Sequence, residues 1–104
     1  MAQATLLPNT GSISTGKEVF VTTNATQVNL EFAPQTNVGF SGTILIESST
    51  ASQPTSGDWF TVATLVFSAH TSNVDINLYL SNNPWVRART TVATAGSISV
   101  YIAY

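Results

Sequence analysis

Side chains that could perform catalysis are scarce in this chain of 104 residues. It has no cysteine and a single histidine, His70, which falls in a predicted turn. Catalysis generally requires a nucleophile with a base, a pair of carboxylates, or a metal, held together in a cleft. His70 would be the only base for the many serine and threonine hydroxyls, so the sequence predicts no catalytic residue and no enzyme. Three copies of His70 around a threefold axis would be an alternative site for a metal or an anion.

The five acidic residues are spread along the chain rather than grouped. A pair of glycosidase carboxylates lies about 5 to 9.5 Å apart in space, and this alternative stays open on sequence alone. No glycine-rich loop precedes a helical pattern, so nothing predicts a phosphate cradle, a cofactor or a metal site. We expect each acid to be an outward-facing group on its own strand or turn: Glu18, Glu31, Glu47, Asp58 and Asp75.

The segment PWVRARTTV, residues 84–92, holds two of the three basic residues beside one of the two tryptophans. Read with the period of two that a strand imposes, it places Trp85, Arg87 and Arg89 on one face. One interpretation is an adhesive face, because guanidinium groups bond carboxylates or carbonyls in fixed geometry and an indole supplies contact area. The other is that the arginines pair with acids across the sheet, which contributes about 0 to 1 kcal/mol if exposed. The candidate partners are Glu31, Glu47 and Asp75.

Charged residues make up 8% of the chain, against about 25% in an average protein. A nearly uncharged exterior, rich in hydroxyls, tolerates permanent contact with neighbouring subunits. The net charge of −2 offers no basic stripe for nucleic acid. No signal peptide begins the chain and no apolar run reaches 18 residues, so we expect neither export nor a membrane partner.

Alternating apolar and polar residues predict seven strands after residue 16, with turn signals every 8 to 14 residues and no helix. This is typical of an all-β fold, an antiparallel β-sandwich of about seven to eight strands, jelly-roll or Ig-like. We expect two hairpins, one joining residues 18–23 to 27–33 and one joining residues 84–92 to 97–104. The strand over residues 58–67 is apolar on both faces, which predicts a central or covered position.

Residues 1–16 are punctuated by a proline and two glycines and predict an N-terminal arm before a single β-sandwich domain, residues 17–104. Leu6 and Leu7 are the apolar pair expected to anchor this arm on a partner. The turn-rich connection before Asp58 is the longest loop after the arm, and loops of that length often contact a partner. Ser52 and Gln53 are its expected contact residues.

Residues 56–104 resemble the compact β-sandwich modules of tailed-phage virion proteins. In these modules a strand opening with G-D-W, here residues 57–59, is followed by a P-x-V-R-x-R strand and a glycine-turned final strand. The second motif corresponds here to Pro84, Val86, Arg87 and Arg89. Among such modules, a free-standing chain of this size with an N-terminal arm looks most like a capsid decoration (cement) protein, which clips onto the outside of the head, usually as a trimer.

The resemblance implies a virion structural protein that binds the major capsid protein at the capsid surface, after assembly in the host cytoplasm, with no catalytic residues. The residues expected to touch the partner are Leu6, Leu7, Trp85, Arg87, Arg89, Ser52 and Gln53. One alternative is a phage head-neck or tail-fibre module. Another is a carbohydrate-binding attachment module, in which Tyr79 and Tyr101, with Trp59 or Phe60, would form an open aromatic patch near Asp or Asn side chains.

Overall fold

The structure, a computed structural model, describes residues 3–21, 27–35, 39–51, 53–80 and 84–104. These residues form eight β-strands, and no helix is present among them. The strands are β1 (Gln3–Thr10), β2 (Val19–Phe20), β3 (Gln27–Pro34), β4 (Phe40–Ser49), β5 (Phe60–His70), β6 (Val74–Tyr79), β7 (Trp85–Ala95) and β8 (Ile98–Ala103). The described part of the chain therefore holds no helix of the length and apolarity needed to span a bilayer.

The strands form two antiparallel sheets, in the orders β1-β8-β3-β6 and β2-β7-β4-β5. The pairs β1 with β8, β2 with β7, β3 with β6 and β4 with β5 are nested, as if one long hairpin had been rolled up. Rolling brings β3 against β8 and β4 against β7, which completes each sheet. Eight strands in this order make a jelly roll. The predicted antiparallel β-sandwich is confirmed.

The two predicted hairpins are wrong, because the two strands of each one belong to opposite sheets. β2 and β3 lie in different sheets, and so do β7 and β8. The turn predicted before the last strand is present. Gly96, with a φ of 72°, reverses the chain between β7 and β8 in a conformation that glycine adopts at no steric cost. The turn then carries the chain across the core. Residues 24 and 25, proposed for the first hairpin, lie outside the described residues.

The core lies between the two sheets, where alternate residues of most strands point inward. Phe67 stands between two other phenylalanines, with ring centroids 5.9 Å from Phe32 and 5.8 Å from Phe40. Aromatic pairs at this separation and tilt add to the stability that burial provides. The fully enclosed apolar side chains are Leu6, Leu7, Val21, Val28, Leu30, Phe32, Phe40, Ile44, Ile46, Val86, Ala88, Ile98, Val100 and Ile102.

The predicted N-terminal arm is instead part of the sandwich. Residues 3–10 form β1, which pairs with β8 at the edge of its sheet. The register shifts between Thr5 and Leu7, and this bulge lets two consecutive leucines face the core, with Leu6 0% and Leu7 1% exposed. The expectation that these leucines anchor a partner is corrected, because the protein's own core already encloses them.

After β1 the chain crosses to the other sheet and runs along β7. The amide of Gly16 donates to the carbonyl of Ala88 at 2.9 Å, and the amide of Thr90 donates to the carbonyl of Ser14 at 2.9 Å. β2 continues the same edge, opposite Val86 and its neighbour. One N-terminal segment therefore closes an edge of both sheets, which joins the two layers of the sandwich.

Thr90 holds this crossing with its buried hydroxyl. Its Oγ1 accepts a hydrogen bond from the amide of Ser14 at 2.6 Å and donates to the carbonyl of Ser12 at 2.8 Å. We expect Thr90→Val to lower the free energy of unfolding by about 1 to 3 kcal/mol, because buried polar groups would lose their partner. Urea titration of the purified protein measures this change.

Thr94→Val is the matched control on the same strand. Its hydroxyl makes only an exposed 3.3 Å bond to the carbonyl of Ser41, so we expect a change within about 0.5 kcal/mol. Equal losses in the Thr90 and Thr94 variants would contradict the role given to Thr90.

Candidate functional site

The two arginines of the V-R-x-R segment meet one carboxylate on the outer face of the β2-β7-β4-β5 sheet. Glu47 on β4 lies directly opposite Arg87 on β7, and Arg89 follows two residues along the same strand. The Nε of Arg87 donates to Oε1 of Glu47 at 2.8 Å. Arg89 donates from Nη2 to Oε2 at 3.2 Å and from Nε to Oε1 at 3.3 Å. Of the three acids considered as partners from the sequence, the structure pairs the arginines with Glu47.

The side chain of Glu47 is only 7% exposed, yet it is held in the charged form. Burial on its own raises the pKa of Glu47, but the hydrogen bonds from Arg89 and Arg87 and their positive charges together outweigh it. The pKa of Glu47 therefore lies below its ordinary value of 4.5. At neutral pH the three side chains form an ionised cluster with a net charge of +1.

An aromatic ring helps to hold Arg87 in position, and a second aromatic pair lies on the same sheet. Its Cζ lies 4.3 Å from the centroid of the Trp59 ring, which makes a cation–π contact. Trp85, on the same strand, packs against Phe20 with a centroid separation of 5.0 Å. Within the described part of the chain, the buried Nε1 of Trp85 has no hydrogen-bond partner. Arg87 is 19% exposed and Arg89 is 38% exposed, so Arg89 presents more of its charge to the outside.

The rest of this outer face is apolar or carries hydroxyls. Thr43 on β4 lies between Val66 on β5 and Val92 on β7, and the valines are 76% and 44% exposed. β5 is an edge strand, which corrects the prediction that it is central or covered. We call this surface the contact face and define it by the residues Thr43, Leu45, Glu47, Trp59, Thr61, Thr64, Val66, Trp85, Arg87, Arg89 and Val92.

The loop before β5 is held by a local turn beside the contact face. The carboxylate of Asp58 accepts hydrogen bonds from the amide of Thr55 at 2.7 Å and from its hydroxyl at 3.0 Å. These bonds, the amide bond first, keep the pKa of Asp58 below its ordinary value of 3.8. Gln53 is exposed, and Ser52 lies outside the described residues. Their contact with a partner stays a prediction.

The histidine and two of the other acids lie outside this cluster. His70 ends β5, half-buried, with its ring 5.6 Å from that of Phe67. Among the described residues, no three His, Asp or Glu side chains are grouped so that they could hold a metal ion. Glu31 and Asp75 lie directly opposite each other on β3 and β6, on the outer face of the β1-β8-β3-β6 sheet. The sequence did not predict this pairing, because it depends on which strands become neighbours.

A groove of about 430 Å³ opens on the outer face of the β1-β8-β3-β6 sheet. Its lining residues come from β1, β8 and β3. The groove therefore exists only because residues 3–10 form a strand, where the sequence had predicted an arm. Tyr101, an aromatic residue that the sequence had singled out, is among the residues that line it. They are Gln3, Ala4, Thr5, Asn29, Glu31, Tyr101, Ile102 and Ala103.

Glu47 makes the stability of the protein depend on pH in one direction. Because its pKa is lower in the folded chain, Glu47 stabilises the fold above pH 4.5, and this contribution is lost as the pH falls through the folded pKa. We expect Glu47→Gln to lower the free energy of unfolding by about 1 to 2 kcal/mol at pH 7. The loss stays in this range because the two arginines are partly exposed, so water can hydrate them once their carboxylate partner is gone. Below pH 4.5 the difference from the unmodified protein should shrink.

Chemical denaturation at a series of pH values measures this difference. Asp58→Asn is the control: it removes another carboxylate with a lowered pKa but leaves the arginine cluster intact, so the contribution of Glu47 should persist. A Glu47→Gln deficit that stays constant from pH 7 to well below 4.5 would rule out the ionised cluster as its source.

No known protein family and no curated protein matches the sequence. Among solved structures, the chain is similar to the SPBc2 prophage-derived protein YomS, with a TM-score of 0.69 and 13% sequence identity. The match covers 97% of this chain and 88% of that one. At this level of identity the likeness shows that the two chains share a fold.

Proposed function

We propose that this chain is a structural protein of a phage virion, and more specifically a capsid decoration protein that binds the major capsid protein on the outside of the head. The sequence resemblance of residues 56–104 and the fold shared with a prophage-derived protein both support a phage origin. The observation that carries the proposal is the contact face, where one buried carboxylate holds two arginines in fixed positions.

The fixed arginines suit the face to binding. A side chain already held in one geometry loses little further freedom when a partner arrives, so less of the interaction energy is lost to ordering. Arg89 has five N–H donors, and its bonds to Glu47 employ two of them. The others can reach carboxylates or backbone carbonyls of a neighbouring subunit.

The distribution of charge indicates which kind of partner fits. The whole chain carries a net charge of −2, whereas the contact face carries +1, so the remaining charged residues sum to −3. A partner surface bearing one or a few carboxylates would be attracted to this face and repelled by the rest of the molecule. We therefore propose an acidic patch on the capsid subunit as the binding surface.

The size of the face is sufficient for a stable complex. The molecule is a slab of 39 × 29 × 17 Å, so a broad side offers on the order of 1,000 Å², against about 800 Å² per partner in a standard interface. Tryptophan and arginine dominate the energetics of most interfaces, and the exposed valines add apolar area beside them. Trp59, Trp85 and Arg89 are the residues that we expect to contribute most.

A trimer would multiply these contacts. If three copies bind one symmetric site, each further contact forms within an assembly already in place, and the gain can reach 10² to 10⁴ in affinity. Weak individual contacts would then be enough to strengthen a shell against internal pressure. The low charge of the surface permits such close association between subunits.

The test uses heads of the encoding phage that lack the protein, with purified protein added back. We expect saturable binding, a higher temperature of head rupture, and at least a tenfold weaker affinity for Arg89→Ala. Thr64→Ala, an exposed hydroxyl on the same face, is the control and should bind nearly as well as the unmodified protein. Heads that bind no protein, or bind Arg89→Ala unchanged, would contradict the proposal.

A further inference from the structure

We propose that the groove on the outer face of the β1-β8-β3-β6 sheet is a binding site for neutral oligosaccharides. This face lies on the opposite side of the sandwich from the contact face, so both could be occupied at the same time. The inference does not depend on the proposed virion role, because it rests on a different set of residues and a different surface.

An aromatic platform stands in the groove. Tyr101 on β8 points outward between Thr5 on β1 and Glu31 on β3, and 37% of its surface is exposed. The C–H face of a sugar ring packs against an aromatic ring, which supplies apolar contact without excluding the hydroxyls from polar partners. The hydroxyl of Tyr101 gives the same ring a polar end.

Polar groups with matching hydrogen-bonding capacity surround this ring. Sugar hydroxyls both donate and accept, so a carboxylate acceptor beside amide groups suits them. Nδ2 of Asn29 donates to Oδ1 of Asn77 at 3.1 Å, which fixes the orientation of both amides. That bond does not use the Oδ1 of Asn29 or the Nδ2 of Asn77, and these are the amide atoms that we expect to bind sugar hydroxyls. Gln3 adds a third amide at the groove's edge.

The pair of acids explains why the ligand should be neutral. Glu31 and Asp75 lie directly opposite each other, an arrangement that destabilises a strand pair. Hydroxyl donors from a sugar would relieve this repulsion. Both arginines lie on the contact face, on the other sheet, so a sialic acid, uronic acid or phosphate would meet repulsion here.

The dimensions favour an oligosaccharide. The volume of about 430 Å³ falls within the range of small-molecule sites, roughly 300 to 1,000 Å³. Tyr79 on β6 lies on the same outer face, 77% exposed, opposite Gln27. From the spacing of residues and strands, the two tyrosines are roughly 15 Å apart. A chain of several sugar units would contact both rings, whereas a disaccharide would contact one.

The first measurement is a titration of the isolated protein, followed by amide NMR, with cellohexaose, maltohexaose and mannohexaose. Sialyllactose and trigalacturonic acid serve as acidic probes. We expect at least one neutral hexaose to bind with a Kd in the millimolar range or tighter, to shift the amides of residues 29–31 and 101–103, and to bind more tightly than its disaccharide. The acidic probes should produce no shifts there.

Variants decide whether the groove is responsible. We expect Tyr101→Ala to weaken binding at least tenfold, Tyr101→Phe to keep most of it, and Glu31→Gln to weaken it about three- to tenfold. Thr94→Val, on the other sheet and outside both proposed surfaces, is the control and should leave affinity unchanged. Glu31→Gln alters no apolar packing, so it keeps the test valid if Tyr101→Ala fails to fold.

The inference would be overturned if none of the neutral oligosaccharides shifted the groove amides, or if only the acidic probes bound. It would also fail if Tyr101→Ala and Glu31→Gln bound a neutral hexaose as tightly as the unmodified protein. These measurements use no virions, so their failure and the failure of the proposed capsid role can be told apart.

Discussion

We expect Leu6→Ala to lower the free energy of unfolding of the isolated protein by about 2 to 5 kcal/mol. Leu6 is 0% exposed and belongs to the core shared by both sheets. Truncation removes the transfer free energy of the side chain and leaves a cavity that the neighbours fill only in part. A free arm would show no such loss, because its residues would be solvated in both the folded and the unfolded chain.

Ile13→Ala is the matched control, since Ile13 belongs to the same N-terminal segment but is 69% exposed. Its change should stay within about 0.5 kcal/mol. Urea unfolding of both variants, with equal slopes of the transitions, measures the difference. If Leu6→Ala were as stable as Ile13→Ala, the N-terminal segment would not be part of the sandwich, and the groove on its sheet would lose one wall.

We expect Gly16→Ala to destabilise the protein by about 3 kcal/mol, the upper end of what overpacking costs. Gly16 lies where the chain crosses from one sheet to the other. A Cβ added there would overlap the carbonyl oxygen of Leu6 and lie 3.3 Å from the Cα of Leu7. The neighbours are backbone atoms, so no flexible side chain can move aside. The backbone itself would have to shift, and this shift would also disturb the hydrogen bond from the amide of Gly16 to the carbonyl of Ala88.

Gly57→Ala is the control for the loss of glycine itself. A Cβ at Gly57 meets no atom within 4 Å, so we expect a change within about 0.5 kcal/mol. Thermal unfolding of the two variants separates the effects, since a loss of about 3 kcal/mol lowers the melting temperature of a domain of this size by more than 10 °C. Similar melting temperatures for both would show that the crossing is not tightly packed.

The strands with clean alternation were predictable from the sequence. In β3, Val28, Leu30 and Phe32 alternate with polar residues, and all three are buried in the structure. Residues on the same face of a strand are two apart in the sequence, so this pattern fixes which side chains enter the core without reference to any neighbouring strand. The all-β fold follows from the repetition of that pattern.

β1 was not predictable in the same way. Leu6 and Leu7 are consecutive, which breaks the period of two, and Pro8 follows them directly. A bulge resolves the conflict by placing both leucines on the core side, but bulges arise from pairing with β8 at the far end of the chain. The pattern of residues 1–16 on its own therefore predicts an arm, whereas in the folded protein residues 3–10 form an edge strand.

The arginines of the candidate site were predictable from the sequence, but their partner could be narrowed only to three acids: Glu31, Glu47 and Asp75. Period two alone placed Arg87 and Arg89 on one face. Glu47 became their partner because β4 lies beside β7, and that neighbour relationship is a property of the rolled-up topology. The groove around Tyr101 needed β1, β8 and β3 side by side, so the sequence could identify its aromatic residue but not its walls.

The two proposed surfaces divide the molecule by chemistry. The contact face carries both arginines and exposed valines, which suit a protein partner. The opposite face carries tyrosines, amides and two acids, which suit neutral hydroxyl groups. A jelly roll presents these faces on opposite sides of a thin slab, so binding on one side would leave the other side accessible.

The most direct test of this account is electron cryomicroscopy of heads to which the purified protein has been bound. The account predicts density on the outer capsid surface, with the β2-β7-β4-β5 sheet facing the shell and the side chain of Arg89 against a carboxylate of the capsid subunit. Density confined to the neck or tail, or a molecule docked through the β1-β8-β3-β6 sheet, would contradict it.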